Sequence, residues 1–364
     1  MLKEQFVKAF FVTVFLACLV VTGAQAAMND EEFLELCAKG SVKEIEAALK
    51  GGAYVGAKET KGNGPLVMAV RNPNPERKAI IRLLFEYGAV VDKRDSAVLL
   101  VGAIDNKDVE LLEILLKNGA GPKALIRENN AAASILAYAI AQGPDLKIID
   151  VLLKADASVN SNESNYEVFF ADDASFSPLM LAAAENHLEV VNMLIKDAKS
   201  KMSREELFLF INRNPKKYDA IGLSSEAYNK IGEITALTCA LGAGNYECAK
   251  TLVKAGAKMY QSSWVALVTK GLYGLNEMID VLDVNERVTG GIKHEKTNAC
   301  PTPLMLAVMY AEDPRVIERL LDRRANVNDM VLGTEGLMKA VDIARKRREL
   351  AGTEALKRLI RESR

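Results

Sequence analysis

SPLMLAAAENHLEVVNMLIKDA, residues Ser177–Ala198, and TALTCALGAGNYECAKTLVKAG, residues Thr235–Gly256, align with each other without a gap. Each reads as a short apolar helix, a tight polar or glycine turn, and a second helix with aliphatics at helical spacing, as at Val190, Val191, Leu194 and Ile195. The unit is a helical hairpin, and repetition at fixed length implies stacking, because one such hairpin cannot bury its apolar side alone.

Outward from these two copies the pattern continues. Several blocks end in a small-residue turn: Gly88-Ala89-Val90-Val91-Asp92, Ala157-Ser158-Val159-Asn160, Gly256-Ala257-Lys258-Met259 and Ala325-Asn326-Val327-Asn328. Glycine at such a point supplies the positive φ that closes a helix C-terminus. At these residues the chain resembles the ankyrin-repeat family, whose unit of about 33 residues holds a turn, two antiparallel helices and a projecting loop. Pro178-Leu179 and Thr302-Pro303-Leu304 stand where that family starts its first helix with Thr-Pro-Leu-His. Met180, Met305 and Thr238 replace the histidine, so apolar packing is expected to hold more of the stack.

The resemblance implies an all-α ankyrin-repeat solenoid of about nine units, some degenerate, starting near Glu32, Gly64, Val98, Ser134, Ser177, Thr235, Ser262, Thr302 and Leu337. The first and last are polar on one side and read as caps. Trp264 and Tyr273 interrupt the seventh. Repeats one to five occupy residues 27–199 and repeats six to nine residues 233–364. Residues 200–232 between them read as an insertion or as an eroded repeat. Ser203 with Glu206 three residues on has the spacing of a capping box.

Residues 1–26 differ in character. Lys3 and Lys8 precede an apolar run, Ala9–Val21, and Ala24-Gln25-Ala26 offers small residues where a signal peptidase reads. A membrane span needs about 20 apolar residues, so this shorter run reads as a secretory signal cleaved after Ala26, with no stable membrane insertion afterwards. Leu16-Ala17-Cys18 is the alternative, a bacterial lipoprotein site. The expected location is the periplasm or the cell exterior.

Hydrophobic residues make up 49% and charged residues 26% of the chain, ordinary for a globular protein. The formal net charge of −1 gives no global attraction to nucleic acid. Its distribution is uneven: Leu337–Arg364 carries nine Lys or Arg against four Asp or Glu, a local +5. Setting that and the leader's +1 aside leaves −7 for residues 27–336. The basic end reads either as a solvated outer face or as a guide for a partner or an anionic surface.

Four cysteines follow the leader: Cys37, Cys239, Cys248 and Cys300. Cys239 and Cys248 fall on the two helices of one hairpin, which admits either a disulfide across it or two buried thiols in place of aliphatics. Of the two histidines, His187 lies in an inter-helix turn, and His294 lies in a loop without neighbours spaced as metal ligands, at most a surface contact. No nucleophile elbow, phosphate-binding loop or dinucleotide fingerprint is present, so neither a cofactor nor catalysis is expected.

The positive functional signal is loop length. Residues 160–176, NSNESNYEVFFADDASF, and 285–301, NERVTGGIKHEKTNACP, exceed what starting a hairpin requires. The first carries Tyr166, Phe169 and Phe170 beside Asp172 and Asp173, aromatic anchors in a polar rim. The resemblance implies recognition of another protein through loop tips and the groove of first helices, where Arg71, Asn72, Glu185, Asn186 and Tyr310 are the candidates. The reading is a monomeric, non-catalytic interaction scaffold. Its alternatives are an exported antagonist or immunity-type protein with one target and, third, an enzyme with a site in the groove.

Overall fold

The structure, a computed structural model, describes residues 28–363 except 61, 129–130, 158–167, 170–174, 214–233, 289–299 and 334–335. The chain divides into two compact units, Met1–Gly121 and Pro122–Arg364.

In the first unit three hairpins follow one another: α1 (Asp30–Lys39) with α2 (Val42–Lys50), α3 (Pro65–Val70) with α4 (Arg77–Glu86), and α5 (Ser96–Asp105) with α6 (Val109–Lys117). Helix starts are set by local chemistry. Asn29 with Glu32 and Ser41 with Glu44 close capping boxes on α1 and α2. Hydrogen bonding to Ser41, chiefly from its backbone N–H, holds the Glu44 carboxyl below its ordinary range. Pro65 begins α3, where its missing N–H costs nothing. First helices pack on first helices, α1 on α3 and α3 on α5, and α2 packs on α4.

Among the described residues the second unit holds six hairpins: α7 (Ile135–Ala141) with α8 (Leu146–Lys154), α9 (Pro178–Ala184) with α10 (Leu188–Lys201), α12 (Ala236–Ala243) with α13 (Tyr246–Ala255), α14 (Gln261–Thr269) with α15 (Gly271–Met278), α16 (Pro303–Tyr310) with α17 (Arg315–Asp322), and α18 (Ala340–Lys346) with α19 (Glu354–Glu362). Ser134, Ser177, Thr235 and Thr302 each cap a first helix through a side-chain oxygen. First helices pack in the unbroken order α7, α9, α12, α14, α16, α18, and second helices in the order α8, α10, α13, α15, α17, α19. α11 (Arg204–Ile211) packs on α10 and adds no level, since α9 meets α12 directly. Its start is the Ser203–Glu206 capping box.

Among the described residues three antiparallel strand pairs accompany the helical hairpins. β1 (Leu125–Glu128) pairs with β2 (Ala131–Ser134), β3 (Val168–Phe169) with β4 (Ser175–Phe176), and β5 (Met330–Gly333) with β6 (Gly336–Lys339). These short ribbons project from the connections, and β2 lies alongside β3. They move one expected boundary: Leu337 belongs to β6, and the last first-helix begins at Ala340. Gly336, at φ +116, is what turns that ribbon before the helix starts.

The core is aliphatic and runs along the first helices; Leu99, Leu100, Leu179, Leu237, Leu267 and Leu306 are completely buried. Trp264, which breaks the sequence pattern, is absorbed into this layer fully buried, whereas Tyr273 stays exposed. Close approach is clearest at Gly102 in α5, where a Cβ would stand 2.1 Å from Val70 Cγ1. Gly102→Ala is therefore expected to lower stability by up to about 2 kcal/mol, overpacking of about 1–3 kcal/mol being offset by about 1 kcal/mol of helix propensity. Denaturant unfolding checks it: the loss should shrink in a Val70→Ala background, and an equal loss in both backgrounds would refute the contact.

Candidate protein-binding surface

The surface starts from how levels are tied together. After α3, Asn72 is completely buried and its Nδ2 donates to the carbonyls of Cys37 and Gly40, both at 3.0 Å, at the end of α1. Asn245, after α12, donates to Ala183 and Ala184 at the end of α9, at 2.9 and 2.8 Å. Arg347, after α18, donates from Nη1 to Val308 and Ala311 at the end of α16, at 2.7 and 3.0 Å. Each side chain thus satisfies carbonyls that the preceding first helix leaves without intrahelical donors.

Apolar packing holds two of the three positions where the histidine is missing, and a polar contact holds the third. Met180 and Met305 are buried as expected, and Thr238 shares a 2.8 Å hydroxyl contact with Ser263 of the next level. The remaining polar ties come from the opposite end of the helices. Asn72 is accordingly no partner contact, because a side chain shielded from solvent and donating two internal bonds is not presented to a partner.

Two further asparagines brace turns. Asn212, ending α11, donates to Gly256 O at 3.1 Å and accepts from Lys258 N at 2.7 Å. Asn285 does the same to Arg324 O and Asn326 N, at 3.2 and 2.7 Å. Here an amide side chain completes the backbone pattern of the following small-residue turn.

With carbonyls satisfied internally, the last turns of the first helices are free to present side chains. In the second unit Glu185, Asn186, Ala243, Lys270 and Tyr310 are exposed at successive levels. Glu185 Oε2 lies 3.3 Å from His187 Nε2, and Asn186, at φ +60, accepts a long 3.7 Å bond from Cys248 Sγ. Tyr310 keeps 41% of its surface in solvent. Glu185 and Tyr310 are three first-helix spacings apart, roughly 24–30 Å at 8–10 Å per step, so they belong to one edge and not to one contact. In the first unit Arg71 is exposed at the end of α3.

Tyr166, Phe170 and His294 lie outside the described residues, and of Phe169 the structure gives the backbone, which pairs with Ser175 across β3 and β4. Cys37, Cys239, Cys248 and Cys300 are all free thiols, so the disulfide alternative for Cys239 and Cys248 is not realised. Burial pushes the thiols of Cys37 and Cys239 up to about 12 and that of Cys248 to about 11, as expected for sulfur standing in aliphatic positions.

Sequence reading missed a cleft of about 330 Å³ in the first unit, walled by Tyr54, Gly56, Pro65 and Val90 and rimmed by Lys58 and Asp95. Lys58 Nζ bridges Asp95 at 3.1 Å and Asp92 at 3.8 Å. Tyr54 and Val90 are 63% and 84% exposed. A Cβ on Gly56 would stand 2.7 Å from the Tyr54 ring, so glycine is what lets that ring lie down. The detectable signal was Tyr54-Val55-Gly56, an aromatic and a glycine in a turn whose equivalents elsewhere are small and polar.

Residues 99–205 match the family model for ankyrin repeats in 3 copies, and residues 302–330 match the ankyrin-repeat model again. The chain is an ankyrin-repeat protein. The first match spans the α5/α6, α7/α8 and α9/α10 hairpins, and the second spans α16/α17. No curated protein matches this ankyrin-repeat chain. Ankyrin repeats point to protein partners, and no described helix is long and apolar enough to cross a membrane. No group of His, Cys, Asp and Glu among the described residues could hold a metal ion.

Loss of one tie should be measurable. Asn245→Ala strands two carbonyls at the end of α9, and a cost of about 1–3 kcal/mol is expected. Asn245→Asp, which cannot donate, should cost at least as much; if chemical denaturation shows either variant as stable as the parent, the tie does not couple the levels.

Proposed function

We propose that this ankyrin-repeat protein is a non-catalytic interaction scaffold, acting in the periplasm or outside a bacterial cell, that binds a protein partner along the exposed first-helix edge. The observation that carries the reading is the division of labour just described: part-buried Asn245 and Arg347 tie first helices to the ones before them, leaving Glu185, Asn186 and Tyr310 outward on a pre-ordered support. Binding to a support that is already ordered loses little conformational entropy. Chemistry would require converging groups. One described carboxyl, Glu286, is pushed upward, by burial first and then by Asp283, with Lys258 opposing; it sits in a turn, not in a cleft. An upward-shifted acid is a mark of active sites only where it meets a second group.

A photo-crosslinking residue at Tyr310 or at Glu185 of the full chain, in its native envelope, should yield a discrete protein adduct that the same residue at Lys117 does not. Adducts equal at all three positions, or none, would remove the reading. One stoichiometric adduct would favour the antagonist or immunity-type form of it.

The location rests on the sequence of residues 1–26. The expected outcome is an exported product whose intact mass begins at Ala27. A chain that keeps the leader and stays in the cytosolic fraction would reject this part while leaving the scaffold untouched.

A further inference from the structure

The basic excess at Leu337–Arg364 acquires a position from one contact. Arg347 binds the carbonyls of Val308 and Ala311, which bracket Tyr310, and so holds the run Arg345-Lys346-Arg347-Arg348 against the turn that carries the exposed Tyr310. Arg345, Lys346 and Arg348 are exposed. Among the described residues, Asp342 lies 3.6 Å from Arg345, Glu349 lies 3.6 Å from Arg347 Nε, and Glu312 is exposed at the end of α16. Exposed ion pairs of that length contribute little and exchange readily for a better carboxylate. Farther along the same edge Glu185 is exposed at the end of α9.

We propose that this end of the edge, Tyr310 with Arg345 and Arg348, docks an acidic polypeptide segment of the partner; the assignment rests on the scaffold reading above and deepens it. Guanidinium groups match carboxylates in two-point geometry, which a compact ammonium does not. Tyr310, on the turn to which Arg347 is bonded, supplies an apolar anchor of the kind that concentrates binding energy. A polypeptide fits better than an anionic lipid surface. Lipid binding by an amphipathic element needs an apolar face that inserts, whereas Tyr310 is more than half covered and the apolar side of α19, at Ala355 and Leu359, is buried in the stack.

Fluorescence anisotropy of the full chain with labelled decaglutamate tests the assignment, with a Gly-Ser peptide as the neutral control and phosphatidylglycerol–phosphatidylcholine vesicles in equal parts as the rival surface. Decaglutamate should bind, and weaken as salt rises. Arg345→Glu/Arg348→Glu should weaken it by about tenfold or more, and Tyr310→Ala by about threefold. Lys43→Glu/Lys117→Glu, the same charge change at exposed sites in the other unit, should stay within about twofold. Absence of binding, an equal loss in the control variant, or preference for vesicles overturns the assignment. If partner crosslinking at Glu185 survives any of these outcomes, only the acidic-segment assignment falls; if crosslinking is absent as well, the scaffold reading falls with it.

Discussion

A pair of short helices, apolar along a shared side, has nowhere to bury that side except against another such pair. Everything else in this protein follows from that constraint. The first helices are too brief to be stable alone, since isolated helices shorter than roughly 12 residues are marginal in water. They persist because both flanks are covered: α9 lies between α7 and α12, and Leu179, Ala182 and Ala183 are fully buried there. Burial of that kind leaves helix C-terminal carbonyls away from water, and each must find a donor. Asn72, Asn245 and Arg347 are the answers to that demand.

The same device explains why the protein tolerates methionine and threonine where its family has histidine. One polar tie between levels stays at the start of the first helix, at Thr238 and Ser263, and others are relocated to the turn after it. Relocation has a consequence for the surface. Once the carbonyls are bound from within, the residues around them face outward, which is how Glu185, Asn186 and Tyr310 come to line an edge. Function and stability therefore draw on adjacent positions of the same turn, and Asn72 and Arg71 show how sharply they divide: one completely buried, its neighbour exposed.

Much of this was legible in the chain. The two aligned copies contain cap, proline, aliphatic spacing and closing glycine, each of which acts locally, and local rules survive into the structure: Ser177 and Thr235 do cap, and Gly256 does adopt a positive φ of 106°. What was not legible depends on partners distant in sequence. Asn72 bonds residues more than thirty positions away, so its polarity alone suggested the surface and not the interior. The β5/β6 ribbon was hidden because MVLG and GLMK are apolar enough to pass for helix. The Tyr54 cleft required knowing that three turns converge. Of the aromatic loop on which sequence placed most weight, Phe169 lies in a strand whose pairing with Ser175 the structure gives, while Tyr166 and Phe170 lie outside the described residues.

The central claim is that residues 178–184 and 236–243 are adjacent levels of one cooperative stack, although more than fifty residues separate them in the chain. Amide hydrogen exchange of the whole protein under native conditions tests it most directly. The account predicts that α9, α12, α14 and α16 are protected together and open in a single step. Protection of α9 with free exchange in α12, or opening of the two at unrelated free energies, would contradict it.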